Sequence, residues 1–196
     1  MLNYILLTLA GCPANLDVES DKLSTDSVST VAEEPPSQLG IIDTETCDQE
    51  NIGSTVCNMV FYDQNKEVWE LYDHEGKVII LDFSTVWCGP CQIAGHKVQP
   101  IQDDYAGRIE FVTVLVDGAT GDPPTEAEIN EWVTTHNVTT APVLYADRSV
   151  LDPTGVNGYL VGGFPTYVFT AKDLKIHSGA VGFNEQHVRT VIEELL

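Results

Sequence analysis

Apolar positions along this chain gather into short runs separated by polar turn formers, and their spacing predicts the order β-β-β-α-β-α-β-β-α from Met59 onward. Met59 to Tyr62 and Val68 to Leu71 flank Asp63-Gln64-Asn65-Lys66 and read as a hairpin. Lys77 to Phe83 is a nearly continuous apolar, β-branched run, the mark of a strand covered on both faces. Gln92 to Gln102 has helical spacing, with Ile93, Val98 and Ile101 as its inward residues. Ile109 to Val116, rich in Val, is expected beside the first buried strand, joined to it as a right-handed βαβ unit. Thr125-Glu126-Ala127-Glu128 has the spacing of a capping box and opens a helix through about His136. Asn137 to Gly158 is irregular, with a short helix around Arg148. Thr166 to Thr170 and Lys175 to Val181 form a second predicted hairpin. A last helix, capped by Asn184, places Val188, Val191, Ile192 and Leu195 at i, i+3, i+4 and i+7.

Ahead of this pattern the chain changes character. Residues 47–196 suffice for one sizeable core and not for two ordinary domains. Asp17 to Glu45 is rich in Ser, Thr, Asp and Glu, lacks apolar periodicity, and cannot bury enough surface to offset its ordering entropy, so residues 12–46 read as an acidic tether. Leu2 to Ala10 is a short apolar run, too short for a permanent span. Leu9-Ala10-Gly11-Cys12 after it resembles the lipobox of bacterial lipoproteins, which makes residues 1–11 a cleaved signal and Cys12 a lipidated N-terminus. Met1-Leu2-Asn3-Tyr4 departs from that pattern in carrying no Lys or Arg. The formal net charge of −21 argues against nucleic-acid partners, because phosphates are repelled.

Of five cysteines, Cys12 is then set aside for lipid and four remain. Cys88 and Cys91 lie in Trp87-Cys88-Gly89-Pro90-Cys91, where the buried strand meets the first helix. Two thiols at this spacing can cycle between dithiol and disulfide. A helix N-terminus at Cys88 favours its thiolate, Pro90 suits the first turn, and Cys91 can return to attack a mixed disulfide at Cys88. The same spacing is half of a zinc knuckle, but no second close Cys or His pair completes four ligands, so neither metal nor cofactor is expected. Cys47 and Cys57 are the candidate structural disulfide, closing a short loop worth about 2–3 kcal/mol on the chain-entropy model. Two free buried thiols, or a regulatory partner for Cys88, are the alternatives.

On these residues the chain resembles the thioredoxin superfamily, and within it the thioredoxin-like lipoproteins of the bacterial envelope (the TlpA/ResA type). Leu81 to Cys91 follows the family's active-site strand and turn, and Gly163-Phe164-Pro165-Thr166 matches the loop opposite, in which the proline is cis. The resemblance covers nearly all of Gly53 to Leu196. It implies an α/β fold, a central mixed sheet with helices on both faces, extended here by an N-terminal β-hairpin. It also implies roles: Cys88 as nucleophile, Cys91 as resolving thiol, and Asp82 as the buried acid that accepts the proton of Cys91. Trp87, Gly89, Pro90, Phe164 and Pro165 become the substrate surface, with Trp87 packed beside the dithiol. Two departures stand out. Thr113 falls where thioredoxin has a lysine beside the acid, and His96 where it has a helix proline, with Pro100 following; His96 reads as a surface or packing residue.

The implied activity is a membrane-anchored thiol-disulfide oxidoreductase facing the periplasm, in the outer membrane or the inner. It would reduce protein or small disulfides and be re-reduced by a membrane electron donor, as a monomer. A thioredoxin-fold peroxidase is the first rival, since Thr85 and Cys88 fit a P-x-x-x-T-x-x-C frame whose proline position holds Leu81. A copper-delivery module is the second, and lacks a well-placed His or Met.

Overall fold

The computed structural model describes residues 39–42 and 51–196. Among these the chain forms β1 (Gly40–Ile41), β2 (Met59–Tyr62), β3 (Val68–Glu70), β4 (Val78–Thr85), α1 (Gly89–Asp104), β5 (Ile109–Asp117), α2 (Glu126–His136), β6 (Val143–Tyr145), β7 (Thr166–Thr170), β8 (Ile176–Val181) and α3 (Glu185–Leu195). Short 3-10 turns occupy Leu71–His74 and Arg148–Val150. Cys12, Cys47 and the expected signal and tether lie outside the described residues.

A five-stranded sheet in the order β6-β5-β4-β7-β8 is the frame. β4 and β5 are parallel, joined through α1, while β7 runs antiparallel to β4 and pairs with β8 as a hairpin. β1, β2 and β3 make a separate antiparallel sheet. β4 is central and every one of its residues is buried, which explains its unbroken apolar run. Its alternate residues feed two cores. Val78 and Ile80 join Cys91, Val98, Ile101, Trp132 and Val188 under the three α-helices. Ile79, Leu81 and Phe83 join Met59, Phe61, Leu71 and Val150 beneath the small sheet and the two 3-10 turns. Helical segments thus cover both faces, the long ones all on the Val78 face.

Two expectations need correction. Ile93 is not inward: it is 67% exposed, whereas Cys91, Ala94, Val98 and Ile101 face the sheet. At 100° per residue Ile93 lies about 200° from Cys91, on the far side of α1. The irregular stretch after Asn137 contains a strand, β6, which its three-residue length and the preceding Pro142 hid from periodicity. Side-chain amides hold it. Gln99 Oε1 accepts the N–H groups of Thr139, Thr140 and Ala141 at 2.8, 2.9 and 3.1 Å. On the outer side Gln64 accepts from the Val143 N–H at 2.8 Å and donates to the Ala141 carbonyl at 3.2 Å.

The helix ends follow their sequence signals. Thr125 and Glu128 form the complete capping box of α2, and Asn184 Oδ1 caps α3 at the His187 N–H. Pro100 sits inside α1, leaving the His96 carbonyl without its intrahelical donor. α1 and α2 meet where a Cβ on Gly95 would come within 2.6 Å of the His136 ring. That ring is buried and held between the carbonyls of Trp132 and Gln92, at 2.8 and 3.1 Å. Gly95→Ala is therefore expected to destabilise the protein by about 1–3 kcal/mol in urea unfolding. Helix propensity alone would instead stabilise it by about 1 kcal/mol, so the sign of the change decides between the two.

Candidate active site

β4 delivers the chain to Cys88, which has extended dihedrals (φ −82°, ψ 109°) and is the N-cap of α1. Its Sγ accepts the Cys91 N–H at 3.2 Å. Cys88 and Cys91 form a disulfide with Cα atoms 5.2 Å apart. In the dithiol, that N–H and the positive end of the α1 dipole favour the ionised form of Cys88. Gly89 and Pro90 form the exposed first turn; Pro90 has no N–H to leave unpaired there. The second sulfur is the hidden one: Cys91 is fully buried, Cys88 5% exposed.

The loop opposite brings Phe164 and Pro165 to the same point through a cis Phe164-Pro165 bond. The Phe164 carbonyl oxygen lies 3.5 Å from Cys88 Sγ. As a disulfide the sulfur has no proton to give, so this is a polar contact; as a thiol, Cys88 can donate to it. Thr166 Oγ1 donates to the Gly163 carbonyl at 2.6 Å and closes the loop. Phe164 meets the Trp87 ring edge-on, centroids 5.9 Å apart.

Asp82 is fully buried in β4, pointing to the same face as Val78 and Ile80 and hence to the side of Cys91. Its Oδ1 accepts the Ser84 hydroxyl at 2.8 Å, and its Oδ2 has no partner. Loss of water pushes the Asp82 pKa up to about 7, against a smaller lowering by Ser84. Its register neighbours are Thr113 on β5 and Tyr167 on β7, both buried, with hydroxyls likewise unpartnered. No cation faces the acid from those positions.

Trp87 does more and less than shield the dithiol. It is 52% exposed, and its indole N–H donates to Asp117 Oδ2 at 3.2 Å. Asp117, buried at the end of β5, also receives Arg148 Nε at 2.8 Å and a second guanidinium nitrogen. The Arg148 guanidinium lies 6.0 Å from the Phe164 ring centre, closing a frame of Trp87, Asp117, Arg148 and Phe164 around the groove. Asp117 and Arg148 were not singled out as site residues from sequence. The available signal was an acid at the C-terminal end of a buried parallel strand, where α/β proteins place function.

His96 is exposed, its ring 4.7 Å from that of His136. Cys57 is buried and disulfide-bonded; its expected partner Cys47 lies outside the described residues. Among the described residues no group of three or more His, Cys, Asp or Glu is placed to hold a metal ion.

A disulfide at a helix N-cap, a cis-proline loop across from it and a buried acid beneath form one site, and comparison with known proteins bears on what it is. The family model for thioredoxin matches residues 59–145. Thioredoxin from Coprinus comatus is 32% identical over 109 residues, covering 55% of this chain and 90% of that protein. The chain belongs to the thioredoxin family. The thioredoxin-like protein YneN of Bacillus subtilis is 29% identical over 115 residues, 57% of this chain, and the chain spans only 62% of that relative's length. Among solved structures, the exposed lipoprotein thioredoxin of Streptococcus pneumoniae superposes with a TM-score of 0.58 at 24% identity, over 71% of this chain and all of that one. The matched thioredoxin region runs from the β2 hairpin to β6, and so contains Cys88, Cys91, Asp82 and Asp117.

Proposed function

We propose that this chain is a thiol-disulfide oxidoreductase of the bacterial envelope, tethered to a membrane through Cys12, that reduces the disulfides of proteins or of small molecules. The observation that carries the chemistry is the placement of Cys88: at the N-cap of α1, with Sγ 3.5 Å from the carbonyl preceding a cis proline. An extended substrate lying along Phe164-Pro165 presents its disulfide to that sulfur. The Cys88 thiolate attacks one substrate sulfur, forming a mixed disulfide and expelling the other as a thiolate. Cys91, deprotonated towards Asp82, then attacks Cys88 Sγ, releasing the second substrate thiolate and closing the Cys88–Cys91 bond. Two electrons pass to the substrate, and a membrane donor returns them.

Gly89-Pro90 between the cysteines favours the reducing direction. The Cys88/Cys91 couple is expected near −270 mV, about 150 mV below the strong oxidants of the same fold. Equilibration with glutathione or dithiothreitol buffers measures it; a value near −120 mV would reverse the assigned direction.

The tether is a separate part of the reading, supported by Leu9-Ala10-Gly11-Cys12 and the polar stretch behind it. The pneumococcal relative of the same fold is named as a lipoprotein. Among the described residues no helix is long and apolar enough to cross a membrane. Cys12→Ser is expected to move the protein from the membrane pellet to the soluble fraction while leaving insulin-disulfide reduction unchanged. Membrane association that survives the substitution rules out the lipid anchor. Pairing of Cys47 with Cys57 would pin the start of the folded domain outside the cytoplasm.

A further inference from the structure

Trp87, Asp117, Arg148 and Phe164 ring the mouth of the groove, and the exchange steps described above make no use of Arg148. Trp87 is half exposed, and the only polar atom of its side chain, the indole N–H, donates to Asp117 Oδ2 at 3.2 Å. Asp117 thus holds the approach to Cys88 twice, since its backbone carbonyl also takes the Val86 N–H at 3.0 Å. Its side chain is 1% exposed, and a carboxylate so deep in the protein is costly unless it is paired. Arg148 pairs it. Arg148 Nε donates to Oδ1 at 2.8 Å and a second guanidinium nitrogen donates to Oδ2, a planar fork that fixes the plane of a carboxylate as well as balancing its charge. The indole shares that same Oδ2, so the orientation of Asp117 that serves Arg148 also serves Trp87. Across the groove the guanidinium lies 6.0 Å from the Phe164 ring centre, and Phe164 meets the Trp87 ring edge-on. The backbone under Arg148 is firm. Asp147 Oδ1 accepts the Ser149 N–H at 2.6 Å, and the fully buried Val150 roots the 3-10 turn in the core, its carbonyl taking the Tyr159 N–H at 2.8 Å.

We infer that Arg148 is a positioning residue for disulfide exchange: through Asp117 it holds Trp87, and directly it backs Phe164, so both aromatic walls of the groove are set before a polypeptide arrives. Without the fork, Asp117 is a buried carboxylate with one neutral side-chain donor. It regains solvation only by turning towards water, and that turn releases the indole. A half-exposed tryptophan with no anchor samples several rotamers, and a substrate has to order it on binding. Ordering one such side chain weakens binding by roughly two- to tenfold. Among the described residues the hydrogen bonds of the Arg148 side chain go to Asp117 alone, so the dithiol chemistry of Cys88 and Cys91 does not run through it. The effect of Arg148 therefore falls on binding, and on extended polypeptide more than on a small disulfide that reaches Cys88 without lying along the walls.

This rests on the oxidoreductase reading, and the test separates the two. With the full-length protein and insulin as substrate, Arg148→Met is expected to raise KM about fivefold while kcat changes less than about twofold. The rate at which bis(2-hydroxyethyl) disulfide oxidises the pre-reduced protein, followed by loss of free thiols, is expected to stay within about twofold. Acrylamide quenching of tryptophan fluorescence reads the wall itself. Trp69 and Trp132 are buried, so Trp87 dominates the quenching, which is expected to steepen in Arg148→Met. Arg148→Lys keeps the charge, loses the fork, and is expected to retain most of the rise in KM. Trp87→Phe removes the indole N–H and leaves the Asp117–Arg148 pair in place; combined with Arg148→Met it is expected to raise KM by less than the product of the two single effects. These two variants carry the comparison should Arg148→Met not fold. An unchanged insulin KM in Arg148→Met, full recovery in Arg148→Lys or multiplying effects in the double variant would each overturn the positioning role, and recovery by lysine would assign Arg148 to charge alone. Equal losses for insulin and the small disulfide overturn it as well, since Arg148 would then act on the dithiol. If the unsubstituted protein reduces neither disulfide, the oxidoreductase reading fails and this inference falls with it.

Discussion

Cys91→Ser is expected to accumulate covalent complexes with substrate in native membranes, visible as high-mass bands that dithiothreitol removes, while Cys88→Ser accumulates none. The asymmetry follows from position. Cys88 Sγ stands at the N-cap, against the Phe164 carbonyl, and can be reached by a partner; Cys91 is fully enclosed on the inward face of the first turn of α1 and can be reached only by Cys88. With Cys91 replaced, the first exchange proceeds and the second has no nucleophile, so the mixed disulfide lives until an outside thiol arrives. The difference between variants should be more than about tenfold in trapped protein, since intramolecular attack normally outruns any intermolecular one by orders of magnitude. Equal trapping by both variants, or trapping by Cys88→Ser alone, overturns the assignment of the two sulfurs.

Asp82→Asn is expected to stabilise the oxidised protein by about 2–3 kcal/mol at pH 8.5 and by very little at pH 4. The sign comes from burial. In the unfolded chain the carboxyl ionises around 3.8, while in the folded protein burial delays ionisation to about 7. Below pH 3.8 both states hold the proton and Asp82 has no effect. Between 3.8 and 7 the unfolded chain gives up its proton first, so stability falls as pH rises. Above 7 the cost is constant, at most about 4 kcal/mol from a separation of roughly three pKa units. Asparagine has no proton to lose, so its advantage should open across that window and then level off; thermal unfolding at pH 4.5, 6 and 8.5 measures it. A gap that does not change with pH would mean the carboxyl is ionised in the folded state at all three. The same substitution should slow the second exchange by about a hundredfold near neutral pH, followed by stopped-flow release of the second thiol, while the first exchange changes little. The protein would thus carry a buried acid that costs stability and accelerates its chemistry.

How far the sequence discloses this molecule depends on the kind of signal each part leaves. β4 and β5 were readable because burial on both faces writes a continuous apolar run, and α2 and α3 because Thr125, Glu128 and Asn184 mark their starts. The dithiol stood out by its spacing at a strand–helix join, and the cis Phe164-Pro165 loop by its resemblance to the family's loop rather than by any local pattern. Ile93 misled because an apolar residue counts equally on either side of a helix until the helix has a neighbour. β6 was missed because three residues carry no period, and its outer hydrogen bonds go to Gln64, 79 residues away from Val143. Asp117 and Arg148 met through tertiary structure alone: 31 residues separate them, and an arginine after an aspartate in an irregular segment has many meanings.

The amide of Gln64 has a further effect, on association. β6 is an edge strand, and an edge offers its outward N–H and C=O groups to any extended chain that passes. Gln64 occupies that pair at Val143 and Ala141 with its own oxygen and nitrogen, as a neighbouring strand would. A second copy arriving edge-on finds those groups already engaged. Closing this flank discourages stray extended chains from adding to the sheet there and seeding aggregates.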